Sequence, residues 1–158
     1  MATRTLVHVV ISLIGIFLGL VVAFGLLTAK RLDGWTAVFL VSTVLTSVTG
    51  FFFPFHKFLP SHGVGILSLV VLALAIAARY VFHLAGPWRW IYVAGAVVSL
   101  YFNVFVLIVQ LFLKVPALHA LAPTQAEPPF AIVQGAVLLL FVVLGILAAI
   151  RSRPPAMA

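Results

Sequence analysis

The sequence predicts an all-α membrane protein with five transmembrane helices, and three observations lead to this fold class. First, 65% of the 158 residues are hydrophobic and only 7% are charged, whereas soluble domains carry about 25% charged residues. Second, the chain contains five apolar runs, each long enough to cross a bilayer, which takes about 20 residues. Third, most of the charged residues lie between these runs, where they meet lipid headgroups.

The five runs form a single predicted domain, a helical bundle over residues 1–158. We expect transmembrane helices at about 6–27, 35–53, 64–84, 90–113 and 130–150. The first run is longer than the roughly 7–15 apolar residues of a signal peptide, so we expect this helix to be retained. Pro116 suits a helix start and Pro123 a helix end, so a short helix along the membrane surface is predicted at about 116–122. Residues 51–63, with two prolines, are expected to form a loop.

The fourth run carries a polar stripe within an otherwise apolar helix. Tyr92, Ser99, Asn103, Gln110 and Lys114 are separated by 7, 4, 7 and 4 residues, which places them on one helix face. This face must turn toward protein or water, because lipid cannot satisfy an amide. Asn103 lies near the middle of the helix and needs a partner. Two interpretations stay open: a hydrogen bond to hydroxyls of the second run, or a polar cavity for a solute, a proton or a lipid-like ligand.

The first two runs also have polar or small faces. His8, Ser12, Gly15 and Gly19 share one face of the first run, which predicts close packing against another helix. The second run is rich in serine and threonine, which predicts a central position in the bundle. A transporter or channel would use these hydroxyls in a polar path. The predicted path comprises Ser42, Thr46, Thr49, Asn103, Gln110 and Lys114, and it opens at Glu127 and Gln134.

Five helices place the termini on opposite sides of the membrane. One side receives Arg4, Lys57 and Lys114, and the other receives Lys30, Arg31, Arg79, Arg89, Arg151 and Arg153. Because cytoplasmic loops carry an excess of lysine and arginine, this distribution predicts an outer N-terminus and a cytoplasmic C-terminus. Arg79 lies about two turns inside its helix, so its side chain either snorkels to the headgroups or serves as a functional charge.

The chain has two carboxylates, Asp33 and Glu127, which nearly excludes paired-carboxylate catalysis and carboxylate-rich metal sites. Gln110 and Lys114 leave the fourth helix near the point where Glu127 and Gln134 lead into the fifth. We therefore expect an ordered loop that covers this end of the bundle. The alternative is an ion pair between Lys114 and Glu127, flanked by the two amides.

Histidines supply the remaining chemistry, and the predicted topology places four of them on the outer side: His8, His56, His62 and His119. Imidazole is the commonest metal ligand, so a metal or haem site is a further hypothesis, although no two of these residues are four apart. The absence of cysteine excludes thiolate metal sites and Fe–S clusters. Ser61 and His62 are neighbours without an acidic residue to orient them, which argues against nucleophilic catalysis.

Six short segments carry a resemblance to known proteins. They are Phe53-Pro54-Phe55, Pro60-Ser61-His62, Ala78-Arg79-Tyr80-Val81-Phe82, Trp88-Arg89-Trp90-Ile91-Tyr92, Tyr101-Phe102-Asn103-Val104-Phe105-Val106 and Leu121-Ala122-Pro123-Thr124-Gln125-Ala126-Glu127-Pro128-Pro129-Phe130. Together they resemble a group of small bacterial integral membrane proteins without an established activity, over roughly the last two-thirds of the chain. The resemblance implies a helical bundle in the bacterial inner membrane, and it implies no activity and no functional residues.

Three functional hypotheses follow from these patterns. The first is a non-enzymatic accessory subunit that associates with itself or with another membrane protein, because short loops leave almost no domain outside the bilayer. The second is a small transporter, channel or lipid-like-ligand binder that uses the polar path. The third is the histidine metal or haem site. Nucleic acid is not an expected partner, because the basic residues lie between apolar runs and face lipid headgroups.

Overall fold

The structure is a computed structural model that describes residues 2–53 and 60–152. The helices in these ranges are α1 (Ala2–Leu27), α2 (Asp33–Gly50), α3 (Pro60–Ile76), α4 (Trp88–Lys114), α5 (Pro116–Leu121) and α6 (Pro128–Arg151). A π-helical turn, Ala77–Val81, continues α3. The predicted all-α fold class is confirmed, and α5 coincides with the short helix predicted after the fourth run.

Within the described ranges, four segments are long and apolar enough to cross a membrane. They are Thr3–Leu27, His62–Val81, Trp88–Lys114 and Pro128–Arg151. The protein is therefore a small multi-pass membrane protein. The second predicted span corresponds to α2, which is not among these four segments. Asp33 and the hydroxyl residues of α2 give it a lower mean hydropathy than the other long helices have.

The third helix differs from its predicted bounds at both ends, and local chemistry explains each difference. α3 begins at Pro60 because proline, which has no N–H to bond, is well suited to the first helical turn. The helix ends at Val81 because His83 and Leu84 have φ angles of 47° and 59°, which a right-handed helix cannot continue. The loop predicted over residues 51–63 is consequently shorter, and its residues 54–59 lie outside the described ranges.

The central helix of the bundle is α4, which packs against α1, α2, α3, α5 and α6. Glycines permit close approaches to α4. A Cβ atom at Gly95 would lie 2.9 Å from Cβ of Ala75 in α3, and one at Gly19 of α1 would lie 2.5 Å from Cδ1 of Leu100. The prediction that the second helix is central is wrong. One face of α2 is buried, but the opposite face is exposed, with Val38 52% and Val41 58% accessible.

Polar contacts at the two ends of the bundle show that successive long helices run in alternating directions. His8 near the start of α1 bonds to Thr49 near the end of α2. Asp33 at the start of α2 pairs with Arg79 in the turn that follows α3. We call the end where His8 contacts Thr49 the Lys114 end, because α4 also ends there. We call the end where Asp33 pairs with Arg79 the Asp33 end, and α6 also ends there. Every polar residue of the predicted path lies at the Lys114 end or in the middle of the bundle.

Candidate functional site

Asn103 lies at a junction of three helices in the middle of the bundle. Its Nδ2 donates a hydrogen bond of 3.4 Å to Oγ1 of Thr43, which in turn donates to the carbonyl oxygen of Phe39 at 2.8 Å. Gly15 of α1 closes the junction, since a Cβ atom there would lie 3.2 Å from Oγ of Ser42 and 3.5 Å from Nδ2 of Asn103. The expected hydrogen bond from Asn103 to a hydroxyl of the second helix is confirmed, and the glycine face of α1 is a packing face.

The three hydroxyls of the predicted path on α2 bond back to their own helix. Ser42 donates to the carbonyl oxygen of Phe39 at 3.0 Å, and Thr46 donates to that of Ser42 at 2.9 Å. Thr49 donates to the carbonyl oxygen of Leu45 at 2.7 Å. Because the hydroxyl protons of Ser42 and Thr46 are taken up within α2, these two side chains can only accept hydrogen bonds from a ligand or another helix.

The outer part of the polar stripe on α4 is open. Gln110 is half-buried and Lys114 is exposed, and neither side chain has a hydrogen-bond partner in the described part of the chain. Gln134 of α6 is buried, and its Nε2 donates to the carbonyl oxygen of Phe105 in α4 at 3.2 Å. Its Oε1 is buried without a partner among the described residues. Gln134 therefore joins α6 to α4, while Gln110 and Lys114 remain available at the Lys114 end.

The alternative interpretation, an ion pair between Lys114 and Glu127, is not formed, because the carboxylate of Glu127 is engaged within its own ordered loop. It accepts hydrogen bonds from Oγ1 of Thr124 at 2.9 Å and from the backbone N–H groups of Thr124 and Ala126 at 3.2 to 3.3 Å. Desolvation acts to raise the pKa of Glu127, but these hydrogen bonds outweigh it, so the pKa lies below its ordinary value. Glu127 thus stabilises a turn that leads into α6.

Gln125 was not singled out by the sequence, yet it ties the same loop to the bundle. Its Nε2 donates to the carbonyl oxygen of Val109 in α4 at 2.8 Å. Val109 and Phe105, which accepts from Gln134, are four residues apart, so the two glutamines bond to one face of α4. The only signal in the sequence was an amide within a proline-rich turn, which does not reveal a partner sixteen residues away.

Each described histidine of the predicted metal set has its own local contacts. Nδ1 of His8 lies 2.8 Å from Oγ1 of Thr49, and Nδ1 of His119 lies 3.3 Å from the carbonyl oxygen of Phe112. His62 is buried, with its ring 6.1 Å from that of Phe51. The described residues contain no group of three or more His, Asp or Glu side chains arranged to hold a metal ion. His56 falls outside the described ranges.

A cleft of about 440 Å³ lies between the first turns of α1 and the end of α2. The described residues that line it are Thr3, Arg4, Val7, Thr49, Phe52 and Phe53. His8 stands behind this lining, bonded to Thr49 and packed edge-to-face on Phe53 with the ring centroids 5.2 Å apart. The cleft was not predicted, because it depends on how two helix ends meet and not on a pattern within either one.

At the opposite end of the bundle, the side chain of Arg79 forms an ion pair with Asp33. The predicted extension of a lone Arg79 side chain to the headgroups is therefore not what the structure shows. Arg31 also approaches Asp33, with 3.7 Å between the charged atoms. The side chain of Arg79 is only 11% exposed, and its guanidinium carbon lies 5.2 Å from the ring centroid of Tyr92. These contacts join the start of α2 to α3 and α4, so Arg79 holds helices together.

Arg89 connects the start of α4 to the end of α6. Its Nη1 donates to the carbonyl oxygen of Ser152 at 2.6 Å and to the hydroxyl of Ser152 at 2.8 Å. A cation is favoured at the C-terminal end of a helix, where the last carbonyl groups lack intrahelical partners. Arg79 and Arg89 thus both join neighbouring helices at the Asp33 end.

We predict that Asn103 and Thr43 are energetically coupled. The free energies of unfolding of Asn103→Ala, Thr43→Val and the double variant should depart from additivity by about 0.6 kcal/mol, the average for interhelical hydrogen bonds in a membrane. The measurement is a double-mutant cycle of unfolding in mixed micelles. Gln110→Ala combined with Thr43→Val is the control and should be additive, since Gln110 has no described partner. Additivity in both cycles would contradict the bond.

We also predict that Thr124→Val raises the pKa of Glu127. Because the folded pKa lies below the unfolded value, the turn contributes its full stability above the unfolded pKa and loses it as the pH falls through the folded pKa. Glu127 is the only glutamate, so ¹³C-glutamate labelling gives one carboxyl resonance to titrate by NMR. Thr28→Val, at the Asp33 end, should leave the midpoint unchanged, and an equal midpoint in all three proteins would refute the interpretation.

Comparison with protein-family models, with curated proteins and with solved structures finds no match to this chain. The resemblance to small bacterial membrane proteins therefore stays a prediction. The contacts of the described residues are the basis for a functional proposal. They divide the molecule into a closed polar junction in the middle, a tightly paired Asp33 end, and a more open Lys114 end.

Proposed function

We propose that the protein is a non-enzymatic, five-span membrane subunit that assembles with copies of itself or with another membrane protein. The observation that carries the proposal is the junction at Asn103. There, Asn103 bonds to Thr43 while Gly15 packs directly against both side chains. The polar groups in the middle of the bundle therefore hold the helices of one subunit together. The surface that is left for binding a partner is the lipid-facing outside of the bundle.

A transporter or channel path along α4 has weaker support. Such a path requires Asn103 to face open space between Gln110 and the Asp33 end. Asn103 is instead 9% exposed and is enclosed by α1 and α2. Gln110 and Lys114 are accessible, but they lie beyond the junction, near one surface. A solute that reached them would meet packed helices before it met the other side.

The arrangement of α2 supports its role as the fifth span, despite its lower mean hydropathy. Its buried polar residues are Thr36, Ser42, Thr43 and Ser47, and its exposed apolar residues are Trp35, Val38, Val41, Leu45 and Val48. This is the sidedness expected of a membrane helix, with polar groups turned to protein and apolar groups to lipid. The mean hydropathy of α2 does not reveal this difference between its two faces, because the buried hydroxyl residues lower the average although they do not face lipid.

The length and end contacts of α2 support the same conclusion. Its 18 residues rise about 27 Å, close to the roughly 30 Å of the hydrocarbon core. It bonds to His8 of α1 at the Lys114 end and to Arg79 beyond α3 at the Asp33 end. α1 and α3 are both membrane-spanning candidates. Because α2 is bonded to α1 at one end of the bundle and to the segment after α3 at the other, it extends over the same depth as they do, as a fifth span would.

We place the protein in a bacterial inner membrane with an outer N-terminus and a cytoplasmic C-terminus. The excess of arginine and lysine at the Asp33 end supports this orientation, since Lys30, Arg31, Arg79, Arg89 and Arg151 all lie there. Arg4 and Lys114 mark the outer, Lys114 end. The bacterial source rests on the resemblance of the sequence alone.

The helix best placed for assembly is α6. Only 11% of its most apolar window is buried, against 22 to 33% for the other three candidate spans. Gly135 faces outward on α6, and a Cβ atom there would meet nothing within 4 Å. An exposed glycine lets the backbone of a second helix come close, and dispersion contacts of this kind drive helix association in lipid.

Cysteine labelling tests the five spans, because the natural chain has no cysteine. Lys30→Cys, Lys57→Cys and Lys114→Cys should each be made singly in intact cells and treated with a membrane-impermeant maleimide. We expect Lys57→Cys and Lys114→Cys to react from outside and Lys30→Cys only after permeabilisation. If α2 stayed on one surface, Lys30→Cys and Lys57→Cys would react from the same side, and the five-span arrangement would be wrong.

The oligomeric state tests the assembly. The protein should be extracted in native nanodiscs and its mass measured, with the expectation of a multimer or of a defined complex with a membrane protein. Gly135→Phe should weaken this assembly, because the added ring blocks the approach of a second helix. Val70→Phe, at an exposed site of α3, is the matched control and should assemble normally. A lone monomer without any co-purifying protein would exclude the proposal.

A further inference from the structure

The cleft between α1 and α2 combines two kinds of surface. Val7, Phe52 and Phe53 supply apolar side chains, whereas Arg4 supplies a positive charge and Thr3 a hydroxyl. Its volume of about 440 Å³ lies within the roughly 300–1,000 Å³ of small-molecule sites. A surface of this composition suits a ligand with a charged group at one end and hydrocarbon at the other.

Among the described residues, no carboxylate pairs with the charge of Arg4. Asp33 is paired with Arg79 and Arg31 at the opposite end of the bundle. The carboxylate of Glu127 accepts its hydrogen bonds from Thr124 and the adjacent backbone. These are the only two side-chain carboxylates in the sequence. Both are engaged elsewhere, so the described part of the chain leaves the charge of Arg4 available to an external anion.

The depth of the cleft matches the boundary between headgroups and acyl chains. Arg4 lies at the start of the membrane-spanning segment of α1, and Val7 lies about one turn further in. Phe52, in the turn just after α2, is 70% exposed. A lipid at this height would place its phosphate beside Arg4 and its first methylene groups beside the two phenylalanines.

The hydroxyl of Thr49 already forms hydrogen bonds within the protein, so it is not among the groups that can donate to a ligand in the cleft. Its oxygen lies 2.7 Å from the carbonyl oxygen of Leu45 and 2.8 Å from Nδ1 of His8, and its single proton goes to one of these two acceptors. In both cases Thr49 has no proton left to donate to a phosphate. Arg4 and Thr3 remain as the groups that can bind the headgroup.

We propose that this cleft is a binding site for an anionic phospholipid of the surrounding leaflet. The lipid phosphate lies against Arg4 and Thr3, and an acyl chain lies along Val7, Phe52 and Phe53. The site goes beyond the assembly role, and it exists in a monomer as well as in a multimer. Its failure and the failure of the assembly proposal are therefore separate results.

The test is lipid retention by the full-length protein, measured by native mass spectrometry. The protein in detergent micelles is mixed with phosphatidylglycerol or with phosphatidylcholine of the same acyl chains. The wild type should retain one phosphatidylglycerol in preference to phosphatidylcholine. Arg4→Gln should lower phosphatidylglycerol retention about five-fold, the effect of removing one basic residue near an anionic membrane surface. Its retention of phosphatidylcholine should not change.

Matched variants separate the cleft from general attraction to the protein surface. Lys30→Gln removes an exposed cation at the Asp33 end and should leave retention unchanged. Val7→Trp fills the cleft and should lower retention of both lipids, whereas Val10→Trp alters a neighbouring exposed site of α1 outside the lining and should not. Equal losses in Arg4→Gln and Lys30→Gln, wild-type retention in Arg4→Gln, or wild-type retention in Val7→Trp would each overturn the proposal.

Discussion

The structure depends on one constraint: lipid neither donates nor accepts hydrogen bonds, so polar groups within the membrane must bond to protein. The amide nitrogens of Asn103 and Gln134 obey it in different ways, one through a hydroxyl of α2 and the other through a backbone carbonyl of α4. Most hydroxyls of α2 donate within their own helix, and Ser47 donates to Ser68 of α3. Because polar groups of α4 bond to other helices, α4 is surrounded by them, whereas α2, which satisfies most of its own donors, can lie at the edge.

Much of this fold was predictable, because membrane helices are long and their composition is distinctive. The predicted runs match the helices closely, and the stripe on α4 correctly indicated a buried Asn103 with a hydroxyl partner. The partners of the charged side chains were not predictable from the sequence. Lys114 and Glu127 are near each other in the predicted topology, but Thr124 lies only three residues from Glu127 and bonds to it first. A local donor of this kind prevails over a distant charge on a flexible side chain.

Arg79 illustrates a second limit of sequence patterns. The helical period that places residues on a face assumes 3.6 residues per turn, and Arg79 lies in a π-helical turn, which is wider. The extra residue rotates the following side chains, so the face that carries Arg79 cannot be read from the regular spacing. The cleft beside Arg4 and the bond from Gln125 to Val109 are similar cases. Each arises where separate segments meet.

The junction at Asn103 also has a consequence for how the chain enters the membrane. α1 and α2 precede α4 in the chain, and in the folded bundle they present Gly15, Ser42 and Thr43 as one surface. The hydroxyl that accepts from Asn103 therefore lies on a helix that is synthesised before the amide enters the membrane. The order of the helices along the chain thus suits the formation of this bond.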